Sequence, residues 1–141
     1  LGSTPMSFFC TPALKQQLKG DFPDCLNGAP MLILGPSSSV RKQFDGWLIK
    51  HQIHPRVIGE FDDGALMRAF GREGRGVYMS ASVLETETMA QDGVEVIGHT
   101  DEMVEEFFAV SVERRITHPC VAAITEAARG RLLHGLSRKN T

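Results

Sequence analysis

Three carboxylates stand within four residues in the segment Glu60-Phe-Asp-Asp63. The apolar run before them predicts a strand over Arg56–Phe61, which puts these carboxylates at the carboxyl end of that strand. Strand alternation directs Glu60 and Asp62 to the same face. Paired carboxylates can perform acid–base chemistry, and their oxygens can also bind a hard cation. The alternative is that one aspartate caps the following helix while the other carboxylates are solvated.

A second polar loop, Gly35-Pro-Ser-Ser-Ser39, follows an apolar run and opens a stretch of helical periodicity. Backbone N–H groups and hydroxyls at a helix start can receive an anion or another polar ligand. The loop lacks the lysine of a phosphate-binding loop, and its serines could equally serve only as helix caps. Arg41 follows by one turn and either points back to this loop or pairs with a surface acid.

The remaining residues that could bind a metal or act as nucleophiles give weaker evidence for a functional site. The pair His51 and His54 has no third ligand close in sequence, so the spacing does not favour a metal site. The glycine-rich segment 71–76 precedes a strand and is typical of a helix end and turn rather than of a dinucleotide loop. The cysteines are odd in number and form no CxxC pair, which argues against a disulfide scaffold and favours small buried side chains; they are Cys10, Cys25 and Cys120.

The hydrophobic pattern predicts strands that alternate with helices. The predicted strands are Met6–Cys10, Met31–Leu34, Arg56–Phe61, Gly76–Met79, Val94–Ile97 and Glu105–Val112. The predicted helices are Thr11–Leu18, Ser38–His51, Asp63–Gly71, Ser82–Ala90 and Thr117–Leu136. Such alternation indicates an α/β fold with a mostly parallel sheet, whose ligands bind beyond the carboxyl ends of the strands. The loops that begin at Gly35, Phe61 and Ser80 are therefore the expected functional ones.

Composition is that of an ordinary globular domain: 141 residues, 42% hydrophobic, 23% charged and a net charge of −2. Charge is uneven along the chain, with +2 over residues 1–75, −9 over residues 76–113 and +5 over residues 114–141. No basic stripe stands out, so direct binding of nucleic acid by this chain is not expected. The sequence shows no membrane span and no signal peptide, which predicts a cytoplasmic protein without a membrane partner.

The order of several motifs resembles the effector-binding domain of LysR-type transcriptional regulators. The matching segments are Leu26–Leu34, Arg41, Phe44-Asp-Gly-Trp47, Ile53-His-Pro55, Gly59-Glu-Phe-Asp-Asp63, Phe70–Gly76 and His118-Pro-Cys-Val121. Within that family, the Gly-Glu-Phe-Asp-Asp segment is most similar to the subgroup that activates sodium/proton antiporter genes. The motifs span nearly the whole chain.

The resemblance implies a type 2 periplasmic-binding-protein-like fold, in which crossover strands join two α/β lobes around an effector. Residues 1–13 would form a crossover strand and hinge, residues 14–104 the second lobe, and residues 105–141 a return strand and the C-terminal helix of the first lobe. The N-terminal DNA-binding domain and the early part of the first lobe are then expected to be absent from these residues.

The resemblance also implies a function: a ligand-sensing domain that controls transcription, with no catalysis and no cofactor. Its partners would be a small-molecule or ion effector, a second copy of the chain, and DNA through the absent domain. The expected effector-binding residues are Phe61, Asp62, Asp63, Ser37, Ser38 and Thr4. Asp62 and Asp63 are also the candidate sodium ligands. The alternatives are a stand-alone small-molecule-binding α/β domain and a small hydrolytic enzyme using Glu60 and Asp62.

The return segment carries apolar residues that an isolated monomer would leave under-covered. We expect a neighbouring subunit to bury them instead; they are Phe107, Phe108, Val121 and Ile124.

Overall fold

The computed structural model describes residues 2–107. Five strands and four α-helices alternate in these residues: β1 Gly2–Cys10, α1 Pro12–Gln17, β2 Pro30–Leu34, α2 Ser39–His51, β3 Arg56–Phe61, α3 Gly64–Arg72, β4 Tyr78–Ala81, α4 Glu85–Asp92 and β5 Glu95–Phe107. Short 3-10 turns at Asp24–Leu26 and Ser82–Leu84 precede β2 and α4. The predicted α/β order is confirmed over this part of the chain.

The strands form one mixed sheet in two hydrogen-bonded parts. β1 pairs antiparallel with β4 and with β5, while β2 and β3 are parallel. A parallel bridge between Met31 and Val77 connects the parts, with the N–H of Val77 donating to the carbonyl of Pro30 at 2.8 Å. The spatial order is therefore β3-β2-β4-β1-β5.

The prediction of a mostly parallel sheet is correct for β2 to β5 and wrong for β1, which runs in the opposite direction. The partners of β1 are the distant strands β4 and β5 rather than β2, the next strand in the chain. Local pattern does not specify the direction in which strands so far apart in sequence pair.

Helices cover both faces of the sheet. On one face, Phe8 of β1 packs in a cluster with Phe44 and Trp47 of α2. On the other face, Phe9 packs with Tyr78 of β4 and Met67 of α3. Consecutive residues of one strand thus enter opposite cores, as strand alternation requires. The central strands are buried on both sides, whereas the edge strand β3 is largely exposed.

Local cap signals set the helix starts as predicted. The Thr11 hydroxyl accepts from the N–H of Leu14, with Pro12 in the first turn of α1. Ser38 caps α2, accepting from the N–H of Val40 at 3.2 Å, and Asp63 caps α3. After α3, Gly74 adopts a φ of +79°, which a side chain would disfavour. The glycine-rich segment is a helix end and turn, as predicted.

The main error of the sequence analysis concerns β5. The pattern predicts two separate strands at Val94–Ile97 and Glu105–Val112, but one strand, Glu95–Phe107, pairs with β1 on both sides of an interruption. Residues 101–103 form a bulge within it, because Met6 pairs with Thr100 whereas the adjacent Pro5 pairs with Val104. The polar residues Asp101 and Glu102 give this part of the sequence the pattern of a loop.

Smaller differences affect element ends. β1 begins at Gly2 rather than Met6, since its first residues pair with the far end of β5. β4 lies two residues later than predicted. The predicted helix Ser82–Ala90 is a 3-10 turn followed by α4.

Several predictions lie outside the described residues: the helix Thr117–Leu136, the end of the strand Glu105–Val112, Phe108, Val121, Ile124 and the side chain of Phe107. Among the helices of residues 2–107, none has the length and apolar character needed to cross a membrane.

Candidate functional site

The predicted effector residues come from segments that share one edge of the sheet. The loop after β2 carries Ser37 and Ser38, and the loop after β3 carries Asp62 and Asp63. Because β1 is antiparallel to the other strands, its beginning, with Thr4, lies at this same edge. We call this end of the sheet the carboxyl edge, since β2 to β5 all finish there; the term does not refer to the outer strands.

The loops after β2 and β3 are in direct contact. The N–H of Gly35 donates to the carbonyl of Phe61 at 2.9 Å. A Cβ built on Gly35 would lie 2.4 Å from the Asp62 Oδ1 atom, so the Asp62 carboxylate rests directly against the backbone of Gly35. Any larger residue at position 35 would require the exposed Asp62 side chain to move aside. The two polar loops that the sequence singled out therefore form one surface.

Within this surface, two of the predicted residues already bind backbone. Ser38 Oγ accepts from the N–H of Val40, and Asp63 Oδ1 accepts from the N–H of Ala65 at 2.9 Å. These are the helix caps that the sequence analysis gave as the alternative. Ser37 and Asp62 are exposed.

Phe61 gives the edge an aromatic wall. Its half-buried ring lies 5.3 Å from that of Phe70 of α3. A ligand here would meet polar groups from both loops beside an aromatic side chain.

Arg41 joins the two loops electrostatically. Its guanidinium donates to the carbonyl of Leu34 at 2.9 Å, to the carboxylate of Glu60, and to Asp45 at 3.0 Å. The hydrogen bonds that Arg41 donates, first to Glu60 and second to Asp45, raise the pKa of its guanidinium. The arginine pairs with surface acids, as the structural alternative predicted, so Glu60 does not stand beside Asp62 as an unpaired carboxylate.

Thr4 is fully buried where β1 meets the end of β4. Its hydroxyl donates to the carbonyl of Pro5 at 3.2 Å and accepts from the N–H of Val83 at 3.1 Å. Nearby, the Ser7 and Ser82 hydroxyls lie 2.6 Å apart, and Ser7 donates to Glu85 at 2.7 Å. These bonds fix the corner at which β4 leaves the carboxyl edge.

Sequence reasoning missed Glu105 as a member of this edge. It is half-buried near the end of β5, in register with Thr4, and burial raises the pKa of its carboxyl group. The sequence around Glu105 does not indicate a functional site, because only the pairing of β5 with β1 brings this glutamate to the carboxyl edge.

The two histidines do not share a site. His51 Nε2 lies 2.9 Å from a Glu102 carboxylate oxygen, whereas the backbone N–H of His54 donates to the Asn27 side chain. In the part of the chain that the structure describes, no group of three histidine, cysteine, aspartate or glutamate side chains is arranged to bind a metal ion.

The two described cysteines are buried and unpaired, as predicted. Burial raises the pKa of the Cys10 thiol to about 11, and it also raises that of Cys25. Neither thiol has the lowered pKa of a nucleophile.

The chain is similar in sequence to a known protein family and to curated relatives. The family model for the LysR substrate binding domain matches residues 1–133. The transcriptional activator protein NhaR of Escherichia coli is 32% identical over 124 residues, which are 88% of this chain and 40% of NhaR. The chain thus spans less than half the length of this curated relative.

Two solved structures support the same fold. The regulatory domain of CcmR from Synechocystis PCC6803, solved with 2-PG, gives a TM-score of 0.56 at 14% identity, covering 94% of this chain and 62% of that one. Full-length HypT from Salmonella typhimurium, a hypochlorite-specific LysR-type regulator, gives 0.58 at 13% identity, covering 74% of this chain and 35% of its own. At these identities the likeness concerns the fold alone.

Proposed function

Since the chain belongs to the LysR substrate-binding domain family, we propose that it senses a small effector and controls transcription through a helix-turn-helix domain outside these 141 residues. The carrying observation is the carboxyl edge, where the loops after β2 and β3 meet at Gly35 and Asp62. Ligands of open α/β sheets bind beyond the carboxyl ends of the strands. Such a regulator acts in the cytoplasm, where its DNA lies.

We assign two kinds of role to the six predicted effector residues. Exposed Ser37 and Asp62, with half-buried Phe61, would contact the effector directly. Ser38, Asp63 and Thr4 each bind backbone N–H groups and would position the loops that present the other three.

The effector class follows from the charge of the loop after β3. The exposed Asp62 carboxylate and the remaining oxygen of Asp63 offer hard, anionic ligands. Such oxygens suit a cationic effector, and sodium is the ion that we propose first because the Gly59–Asp63 segment resembles the antiporter-activating subgroup. Asp62 is the principal ligand in this proposal.

Thermal melting tests the proposal directly. At equal ionic strength, sodium chloride should raise the melting temperature by about 2–5 °C relative to potassium and lithium chloride. Asp62→Asn should abolish that difference. Asp21→Asn, which changes an exposed aspartate in the loop after α1, should keep it. An equal response to the three salts would reject sodium as effector, and a panel of organic cations would then be melted in the same way.

We also propose that the chain associates with a second copy through the β3 edge surface, by which we mean Val57 and Ile58, on opposite faces of this edge strand, and the exposed Ile49 of α2. Their exposed fractions are 49%, 45% and 78%, respectively. β3 ends the sheet order on its side, so its outer backbone groups lack strand partners among the described residues. Open strand edges bearing apolar side chains are covered in soluble proteins. Family members pair one lobe against the other lobe of a partner, which would cover this surface.

The enzyme alternative is disfavoured by one observation. A hydrolytic pair would need Glu60 and Asp62 unpaired and facing one substrate, but Glu60 is bound by Arg41. We therefore propose no catalysis. Turnover of a substrate that disappears in Asp62→Ala would reverse this assignment.

A further inference from the structure

The bulge in β5 divides the longest strand into two paired parts. Glu95 to Thr100, apart from Ile97, pair with the second half of β1, and Val104 to Phe107 pair with its first half. Residues 101–103 between them have no partner in the β1–β5 register. A strand bends most readily where its ladder is interrupted. Residues 101–103 are the longer of the two interruptions, the other being Ile97 alone, and are therefore where the outer part of β5 can change direction relative to the rest of the sheet.

Helix α2 binds the bulge on its outer side by two hydrogen bonds. The Gln43 side chain donates from Nε2 to the carbonyl of Val104 at 2.9 Å. Its Oε1 accepts from the N–H of Val104, also at 2.9 Å. The Gln43 amide thus binds both the N–H and the carbonyl of Val104, as a neighbouring strand would.

Helix α2 also binds the bulge itself. The Glu102 carboxylate lies 2.9 Å from His51 Nε2 and 3.1 Å from Lys50 Nζ. Glu102 and Lys50 are exposed, so these ion pairs alone contribute little. The adjacent Met103 is fully buried in the cluster that contains Trp47 of α2. Burial and hydrogen bonding therefore fix the bulge to the helix together.

The first turns of the same helix lie at the carboxyl edge. Ser38 caps it there, and Arg41 binds both Leu34 and Glu60. Thirteen helical residues span about 20 Å, so α2 extends from these loops to the bulge. α2 is thus in contact with the loops of the candidate effector site and with the interruption of β5.

We propose that residues 101–103 are a hinge in β5 and that α2, through Gln43 and the pairs at Glu102, transmits displacement of the carboxyl-edge loops to this hinge. Gln43 is the positioning residue, since both of its polar atoms bind Val104. The hinge and its attachment depend only on the observed contacts. That an effector causes this displacement of the loops rests on the proposed function.

Amide hydrogen exchange on the 141-residue chain, without ligand, tests the attachment. Gln43→Leu removes both bonds to Val104 and should speed exchange of the Val104 amide about tenfold. Amides of residues 95–100 should keep their rates. Gln43→Glu, which can still accept from the Val104 N–H, should give an intermediate rate. Gln17→Leu makes the same chemical change at an exposed position of α1 and should leave Val104 unaffected.

A second measurement tests transmission. Gly35→Ala introduces a Cβ where the Asp62 carboxylate now lies, so that side chain must move and the contact between the two loops changes. The Val104 amide chemical shift should change in Gly35→Ala, and the change should vanish when Gln43→Leu is also present. An unchanged Val104 rate in Gln43→Leu, uniform acceleration along all of β5, or a Val104 shift indifferent to Gly35→Ala would each overturn the proposal. These outcomes do not depend on effector binding, so a failed sodium response would leave them unchanged.

Discussion

Asp92 is the buried residue that connects the second face of the sheet to its helices. Its carboxylate accepts from the Tyr78 hydroxyl at 2.7 Å and from the Arg68 guanidinium at 3.1 and 3.2 Å. Burial, and then the hydrogen bond to Asp92, raise the pKa of Tyr78. This one side chain therefore joins α3, α4 and β4.

We predict that Asp92→Asn lowers the free energy of unfolding by about 2–4 kcal/mol, because the buried side chain that accepts from Arg68 and Tyr78 loses its negative charge. Tyr78→Phe removes a single hydrogen bond and should cost about 1 kcal/mol. Urea denaturation measures both. Asp45→Asn, at an exposed partner of Arg41, should change stability by less than about 0.5 kcal/mol. Equal effects of Asp92→Asn and Asp45→Asn would contradict this account.

Residue-level predictions from sequence succeed where the partner is near in the chain. Ser38 and Asp63 each cap a backbone N–H two residues away, and both were foreseen as possible caps. The bond between Thr4 and Val83 spans 79 residues. Such contacts exist only because β1 pairs with β4, and pairing over that separation leaves no local signal.

At the scale of the element, two glycines within helices, one in the middle of α2 and one in the last turn of α3, differ in what surrounds them. A Cβ on Gly46 of α2 would meet nothing within 4 Å, whereas a Cβ on Gly71 of α3 would lie 2.3 Å from the Tyr78 ring. Tyr78 is fully buried, so its ring cannot move aside freely. The glycine in α3 permits close packing of the helix on β4, while the glycine in α2 only costs helix propensity.

We predict opposite effects for the two alanine substitutions. Gly46→Ala should stabilise the protein by about 0.5–1 kcal/mol through helix propensity. Gly71→Ala should destabilise it by about 1–3 kcal/mol, since overpacking outweighs the same gain. Thermal and urea unfolding of both variants provide the measurement, and a stabilising Gly71→Ala would refute the close packing.

Elements were predictable where periodicity and caps agree, as in α2, whose Val40, Phe44 and Trp47 are all buried. The continuity of β5 was not predictable. Asp101 and Glu102 break the apolar pattern of a strand, and only the pairing of Pro5 with Val104 carries the strand past them. Tertiary pairing overrides local pattern at that point.

At the scale of the whole molecule, the fold class and the family could be predicted from the sequence, because the motifs that carry the family resemblance occur in order over nearly the whole chain. The predicted division at residues 13 and 104 remains a prediction. The bulge at residues 101–103 lies beside the second of these positions, where we place the hinge.

Association between copies is the prediction that belongs to this scale. Ile58→Asp places a charge in the β3 edge surface and should convert a dimer to monomers in light scattering, because desolvating an unpaired carboxylate is unfavourable. Met89→Asp on α4 makes a comparable change at another exposed apolar residue and should leave the mass unchanged. Dimers of unaltered stability in Ile58→Asp would place the interface elsewhere.

The central claim, that the carboxyl edge receives the effector, is tested most directly by mapping amide chemical-shift changes during a sodium chloride titration at constant ionic strength with potassium. The opposite edge offers an internal comparison, since a pocket of about 260 Å³ lies there among Leu18, Asn27 and Arg56. We predict saturable shifts at Gly35, Ser37, Phe61 and Asp62, none at that pocket, and none in Asp62→Asn. Saturable shifts confined to the opposite pocket, or unaltered by Asp62→Asn, would contradict the account.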